Sequence, residues 1–116
     1  MRAVKRRAGY SEELASRVRK LLARRGGLYE IKMFGGIAFM LKGHMCCGVV
    51  KDQLMVRVGP EGYEKALQKP HARPMDFTGR PLKGMVFVSP AGTRTGRGLS
   101  GWVGQAARFV RTLPPR

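Results

Sequence analysis

Apolar residues recur at helical spacing in the first quarter of the chain. They fall at i, i+4, i+7 and i+8, which places them on one side of a helix: Leu14, Val18, Leu21 and Leu22. Ser11 precedes this run and can accept a hydrogen bond from a free amide of the first turn, while Glu12 and Glu13 suit the positive end of the helix dipole. The pattern predicts a helix from Ser11 to about Arg25, ended by two glycines.

Between residues 29 and 58 the pattern changes to short runs rich in β-branched, aromatic and methionine side chains. Glycines and polar residues separate these runs, at Gly35-Gly36, Lys42-Gly43 and Lys51-Asp52-Gln53. We predict four strands, over residues 29–34, 36–41, 45–50 and 54–58. Their connections are too short for a parallel crossover, which takes about a dozen residues or more, so the strands should pair antiparallel.

The second half of the chain predicts a short helix opened by Pro60, an irregular segment over 71–83, a fifth strand over 85–88 and a last helix over about 97–112. That last helix contains three glycines, each costing about 1 kcal/mol relative to alanine, so tertiary packing must support it. The predicted fold is therefore α+β, with an antiparallel sheet of about five strands, helices packed on one face, and the order α-β-β-β-β-α-β-α. We expect residues 1–10 to form a basic flexible tail and residues 11–116 a single domain.

Composition is that of an ordinary globular protein, with 43% hydrophobic and 26% charged residues. The longest apolar runs are of strand length, far short of the roughly 20 residues that span a membrane, and the basic N-terminus lacks the apolar segment of a secretion signal. We expect no membrane association and a cytoplasmic location.

A formal net charge of +16 is the most unusual property of the chain. The excess lies at the two ends, and on the first helix Arg17, Lys20 and Arg24 share the face away from the leucines. If these side chains lie near Arg108 and Arg111 of the last helix, they form a continuous positive strip for phosphates. The sequence leaves two interpretations open: nonspecific binding of DNA or RNA, and a basic surface that is only solvated. No base-reading motif supports sequence-specific recognition.

His44, Cys46 and Cys47 raise the question of a metal or thiol site. On a regular strand His44 and Cys46 share one face and Cys47 points to the other, so too few ligands converge for zinc. We expect reduced, structural cysteines and assign no catalytic, cofactor-binding or metal-binding residue. The alternative is a small thiol-dependent enzyme or ligand site around these three residues, in which His44 serves Cys46 as a base.

Several runs in order resemble the N-terminal domain of the TfoX/Sxy family. They are Met33-Phe34-Gly35-Gly36-Ile37-Ala38-Phe39, then Gly48-Val49-Val50-Lys51-Asp52 leading into Leu54-Met55-Val56-Arg57-Val58, then residues 75–84, and finally the Trp102 helix closing on Leu113-Pro114-Pro115. The resemblance covers about residues 11–115 and implies a stand-alone copy of this domain. It also implies a non-enzymatic regulatory or interaction domain of transcription or competence regulation, without a cofactor. We expect a homodimer that engages nucleic acid electrostatically or a protein partner through its sheet.

Overall fold

A computed structural model describes residues 6–7, 9–33, 35–76 and 81–114. The strands are β1 Arg6–Arg7, β2 Tyr10–Ser11, β3 Leu28–Met33, β4 Gly36–Leu41, β5 His44–Val50, β6 Gln53–Arg57, β7 Ala72–Pro74 and β8 Met85–Val88. The helices are α1 Glu12–Leu22, α2 Tyr63–Leu67, α3 Pro90–Thr93 and α4 Gly96–Arg111. The fold is α+β, as predicted.

The main sheet has six strands in the order β3-β4-β5-β6-β8-β7, and every neighbouring pair is antiparallel. The predicted meander is confirmed as β3 to β6, because each short turn returns the chain beside the strand it has just left. The sixth strand, β7, lies in the segment predicted to be irregular. It has only three residues, and it pairs antiparallel with the next strand in sequence, β8, at the edge of the sheet.

The helices cover one face of this sheet, where the main hydrophobic core lies. Leu14 and Val18 of α1 and Trp102 and Val103 of α4 join the strand residues of that face in one buried cluster. The opposite face carries a second, smaller cluster of Met55, Met75 and Phe87, with the partly buried Met45, Val50 and Met85 packed against it.

Ser11 begins α1 as predicted, since its Oγ accepts a hydrogen bond from the Leu14 amide at 3.1 Å. The helix ends at Leu22, three residues before the predicted Arg25. The helix α3, which follows β8 directly and begins at Pro90, is not predicted from the sequence. Proline is favoured in the first helical turn, where its missing N–H costs nothing.

Ordered structure starts before residue 11, where the predicted domain begins. β1 pairs with β2, and the segment then lies against the turn between β5 and β6, where Gly9 accepts from the Lys51 amide at 2.6 Å and Ser11 donates to the Lys51 carbonyl at 2.7 Å. Tyr10 is only 3% exposed and belongs to the main core. The end of the predicted flexible tail over residues 1–10 is thus part of the fold.

Candidate nucleic-acid interface

A groove lies where the ends of α1 and α4 meet the turn between β4 and β5. Its volume is about 630 Å³, and ten of the described residues line it: Leu21, Arg24, Arg25, Gly26, Leu41, Lys42, Ala107, Val110, Arg111 and Leu113. Four of these are cationic, and none is acidic. We call this site the basic groove. An apolar floor with a rim of one charge sign attracts anions, because low-dielectric walls focus the field of the rim.

The end of α1 positions the residues on one side of the groove. Leu22 is fully buried and anchors the last turn, while Arg24 and Arg25 follow the helix and are exposed. The Arg25 amide donates to the Leu22 carbonyl at 3.0 Å, which keeps the chain turning beyond the end of α1. Both guanidinium groups are thereby brought to the rim, close to the negative end of the helix dipole.

Lys42 reaches the groove from a two-residue hairpin turn. Leu41 and His44 are paired, so Lys42 and Gly43 form the turn, and both have positive φ, 53° and 87°. Two consecutive positive φ values are typical of the type I′ turn, whose twist matches that of the flanking strands. The Lys42 amide donates to the Gly27 carbonyl at 3.1 Å, which ties this turn to the segment that follows α1.

The last turn of α4 supplies the fourth cation, Arg111. Val110 and Ala107 are buried on the sheet side of this helix, so Arg108 and Arg111 are exposed on its other side. Arg111 lines the groove, whereas Arg108 does not. The Arg108 guanidinium instead lies back along the helix, 3.4 Å from the position that a Cβ on Gly104 would occupy.

The five residues predicted from sequence are therefore only partly brought together. Arg24 and Arg111 meet in the groove, while Lys20 is exposed on α1 outside it. Arg17 is half-buried and donates to the backbone carbonyls of Arg94 and Thr95, at 3.5 and 3.4 Å, where α3 ends and α4 begins. Its guanidinium thus bridges α1 to the start of α4.

Sequence reasoning missed two of the four groove cations, Arg25 and Lys42. Arg25 lies at the predicted end of the first helix, outside the basic face formed by Arg17, Lys20 and Arg24. Lys42 lies in a predicted turn between two strands, and the sequence does not indicate where that turn points. Their convergence with Arg111 is a tertiary contact between segments far apart in sequence, for which the sequence carries no local signal.

The His44, Cys46 and Cys47 group is arranged differently from the prediction. The register between β4 and β5 shifts between Phe39, which pairs with Cys47, and Met40, which pairs with Met45. Cys46 is the additional residue of this β-bulge. Both thiols therefore enter the main core. Cys47 pairs with Phe39 and His44 pairs with Leu41, and both partners lie on the core face of β4, so the prediction that Cys47 faces away from His44 is wrong.

These two cysteines are free and fully buried. The hydrogen bond with the Cys46 thiol and burial together raise the pKa of Cys47 well above its ordinary value. The ring of His44 contacts the Pro114 carbonyl through Nε2 at 2.5 Å, while its buried Nδ1 has no hydrogen-bond partner among the described residues. The same hydrogen bond lowers the pKa of Cys46, but both thiols are packed into the core without solvent access, which makes them unreactive.

No group of three or more His, Cys, Asp or Glu side chains among the described residues could hold a metal ion. Within the same part of the chain, no helix has the length and apolar character needed to cross a bilayer.

Fold and site together define a small α+β domain with one helix-covered sheet face and a cationic groove at the end of its two longest helices. The chain matches the family model of the TfoX N-terminal domain over residues 20–110 and belongs to that family. At the family level this is a regulatory, competence-related domain, and the family is generally non-enzymatic. Comparisons with curated proteins and with solved structures gave no match.

Proposed function

We propose that this chain is a non-enzymatic regulatory domain of the cytoplasm that binds the phosphate backbone of DNA or RNA without sequence preference. The observation that carries the proposal is the basic groove, where Arg24, Arg25, Lys42 and Arg111 converge with no carboxylate among the described residues of the lining. Lys20 and Arg108 extend the same positive surface on the outer sides of α1 and α4. A role in transcription or competence regulation would follow from such binding.

The electrostatics favour a polyanion over a small acidic ligand. The net charge of +16 produces a long-range attraction that increases with the number of phosphates within reach. Arginine presents several N–H donors in a fixed plane and binds phosphate oxygens in pairs. Three of the four groove cations are arginines. The sequence carries no recognisable base-reading motif, so backbone contacts without base readout are expected.

The salt dependence of binding gives a quantitative test. Each phosphate contact on duplex DNA contributes about −0.9 to the slope of log affinity against log salt. Four groove contacts give a slope of about −3.6, which is a loss of about 150-fold between 50 and 200 mM salt. The assay is a fluorescence-anisotropy titration with unrelated duplex DNA, single-stranded DNA and RNA over this salt range.

One variant reverses three charges in the groove, and a control variant reverses two charges outside it. Arg24→Glu, Arg25→Glu and Arg111→Glu together should reduce the slope on duplex DNA by about 2.7 and abolish binding at physiological salt. Lys65→Glu and Lys83→Glu are the control, since both residues are exposed and neither lines the groove. All five positions are exposed, so the variants should fold.

Equal losses of affinity per reversed charge in the two variants would show that the charge acts only as a general field, and would overturn the groove as the binding site. A wild-type protein that does not bind any of the three nucleic acids at physiological salt would overturn the function itself. The search would then turn to a protein partner.

A further inference from the structure

The strand β3 forms one edge of the main sheet and is exposed along most of its length. Among the described strands it pairs with β4 alone, and four consecutive residues, Tyr29 to Lys32, are exposed. Tyr29 and Ile31 are 46% and 38% exposed, although both are large and apolar. An exposed edge of this kind is a template for pairing with another strand, and it carries neither a proline nor a bulge that would block pairing.

The hydrogen-bond pattern shows which residues face outward. The Lys42 amide bonds to Gly27, which makes Gly27 and Lys42 a hydrogen-bonded pair one step beyond Leu28 and Leu41. Hydrogen-bonded pairs alternate in an antiparallel ladder, so Tyr29, Ile31 and Met33 bond to β4. The N–H and C=O groups of the alternate residues, Leu28, Glu30 and Lys32, therefore point away from the sheet.

We infer that β3 pairs antiparallel with β3 of a second copy of this chain, around a two-fold axis at Ile31. This register places Glu30, whose carboxylate also accepts hydrogen bonds from Arg19 of its own chain, directly opposite the second copy's Lys32, and Lys32 opposite its Glu30, as two hydrogen-bonded pairs. On the other face of the strand Ile31 lies against its own counterpart, and Tyr29 lies against Met33. Opposite charges and apolar side chains directly across two strands both stabilise the pairing.

The charges select this register against its neighbours. When two copies of β3 pair antiparallel, residues with outward N–H groups must lie opposite one another. The nearest alternative registers therefore place the two-fold axis one residue away from Ile31, at Glu30 or at Lys32. An axis at Glu30 places the two copies of Glu30 opposite each other, and an axis at Lys32 does the same with lysine. Like charges directly opposite are destabilising, so only the axis at Ile31 matches charge and hydrogen bonding together.

A six-residue edge is smaller than the standard interface of about 1,600 Å², and the net charge of +16 on each copy opposes association. We therefore expect a weak dimer whose population rises with protein concentration. This surface is separate from the basic groove, and neither proposal depends on the other. Sedimentation of nuclease-treated protein at about 0.15 M salt measures the association without nucleic acid bridging the copies.

Engineered disulfides test the register. In the non-hydrogen-bonded pair at the axis the two Cα atoms are about 4.5 Å apart, which is within disulfide range. Ile31→Cys should cross-link to its own copy on mild oxidation, while Tyr29→Cys, two residues from the axis, should not. A mixture of Tyr29→Cys and Met33→Cys should give the mixed dimer. Wild-type protein is the control for the buried Cys46 and Cys47.

Two substitutions at one exposed position test the edge itself. Lys32→Pro removes an outward N–H without breaking the bonds to β4, since proline is tolerated on the free side of an edge strand. Lys32→Glu places like charges opposite each other in both pairs. Each should raise the dimer dissociation constant at least tenfold and leave nucleic-acid binding by the groove unchanged.

Cross-linking of Ile31→Cys no faster than that of Tyr29→Cys would overturn the register. A wild-type protein that remains monomeric at high concentration, or a dimer that neither Lys32 variant weakens, would overturn the edge as the interface. The groove variants in Proposed function would still report on nucleic-acid binding in either case.

Discussion

Two glycine-to-alanine substitutions should change stability in opposite directions. Gly48 lies in the middle of β5, and a Cβ there would be 2.6 Å from the Ile37 carbonyl oxygen of β4 and 2.4 Å from Cε of Met55. Met55 is only 1% exposed, so its side chain has little room to move, and the Ile37 backbone must recede to at least 3.4 Å for ordinary contact. Gly101 is exposed in α4, and a Cβ there would have no neighbour within 4 Å.

The magnitudes follow from these contacts. Overpacking a core costs about 1–3 kcal/mol, and the upper half of that range applies at Gly48 because backbone must shift. Alanine also lowers the conformational entropy of the unfolded chain, which stabilises the fold by about 0.4–1 kcal/mol. The net effect of Gly48→Ala should be a destabilisation of about 1–2 kcal/mol. Gly101→Ala should gain about 1 kcal/mol from helix propensity alone. The two variants should thus differ by about 2–3 kcal/mol, or roughly 100-fold in the unfolding constant.

Urea unfolding measures both changes. Trp102 is the only tryptophan and is buried in the core, so its fluorescence reports the loss of packing between α4 and the sheet. Circular dichroism provides a second probe, and coincident transitions justify a two-state analysis. If Gly48→Ala is as stable as wild type, β4 can move to accommodate the methyl group and the reasoning fails. If Gly101→Ala is less stable than wild type, Gly101 is not open to solvent and the reasoning fails as well.

Two further predictions concern pH and thiol chemistry. The pKa of Glu30 lies below its ordinary value of 4.5 because Arg19 donates hydrogen bonds to the carboxylate, so this contact stabilises the fold above that pH and is lost as the pH falls through the lowered pKa. The stability difference between wild type and Glu30→Gln should therefore shrink between pH 6 and pH 3 in urea titrations, and a constant difference would contradict the assignment. Cys46 and Cys47 should react with a thiol reagent only after unfolding in guanidinium, because both are fully buried; rapid labelling of the native protein would revive the thiol-dependent alternative.

The four strands of the meander could be predicted because their turns and apolar runs are local. The bulge at Cys46 could not, since it depends on how β4 and β5 pair rather than on either strand alone. β7 has only three residues, and His71 before it has a φ of +73°, unusual for a residue with a side chain. Such a segment becomes a strand because β8 lies beside it, which the sequence does not display.

The candidate site, like the fold, could be predicted only in part. Helical periodicity identified exposed cations on α1 and α4, including Arg24 and Arg111, because the buried face of each helix determines its exposed face. Which cations converge depends on where α1 stops and how the β4–β5 turn is oriented. Arg25 and Lys42 enter the groove through these tertiary features.

The glycines of α4 have a consequence for the order of folding. Gly98, Gly101 and Gly104 leave this helix little stability of its own, so it should form only after the sheet offers a surface on which Trp102 and Val103 can pack. One wall of the basic groove belongs to α4. The groove is therefore completed late, and a chain that has folded its meander but not docked its last helix carries the full positive charge without the site that organises it.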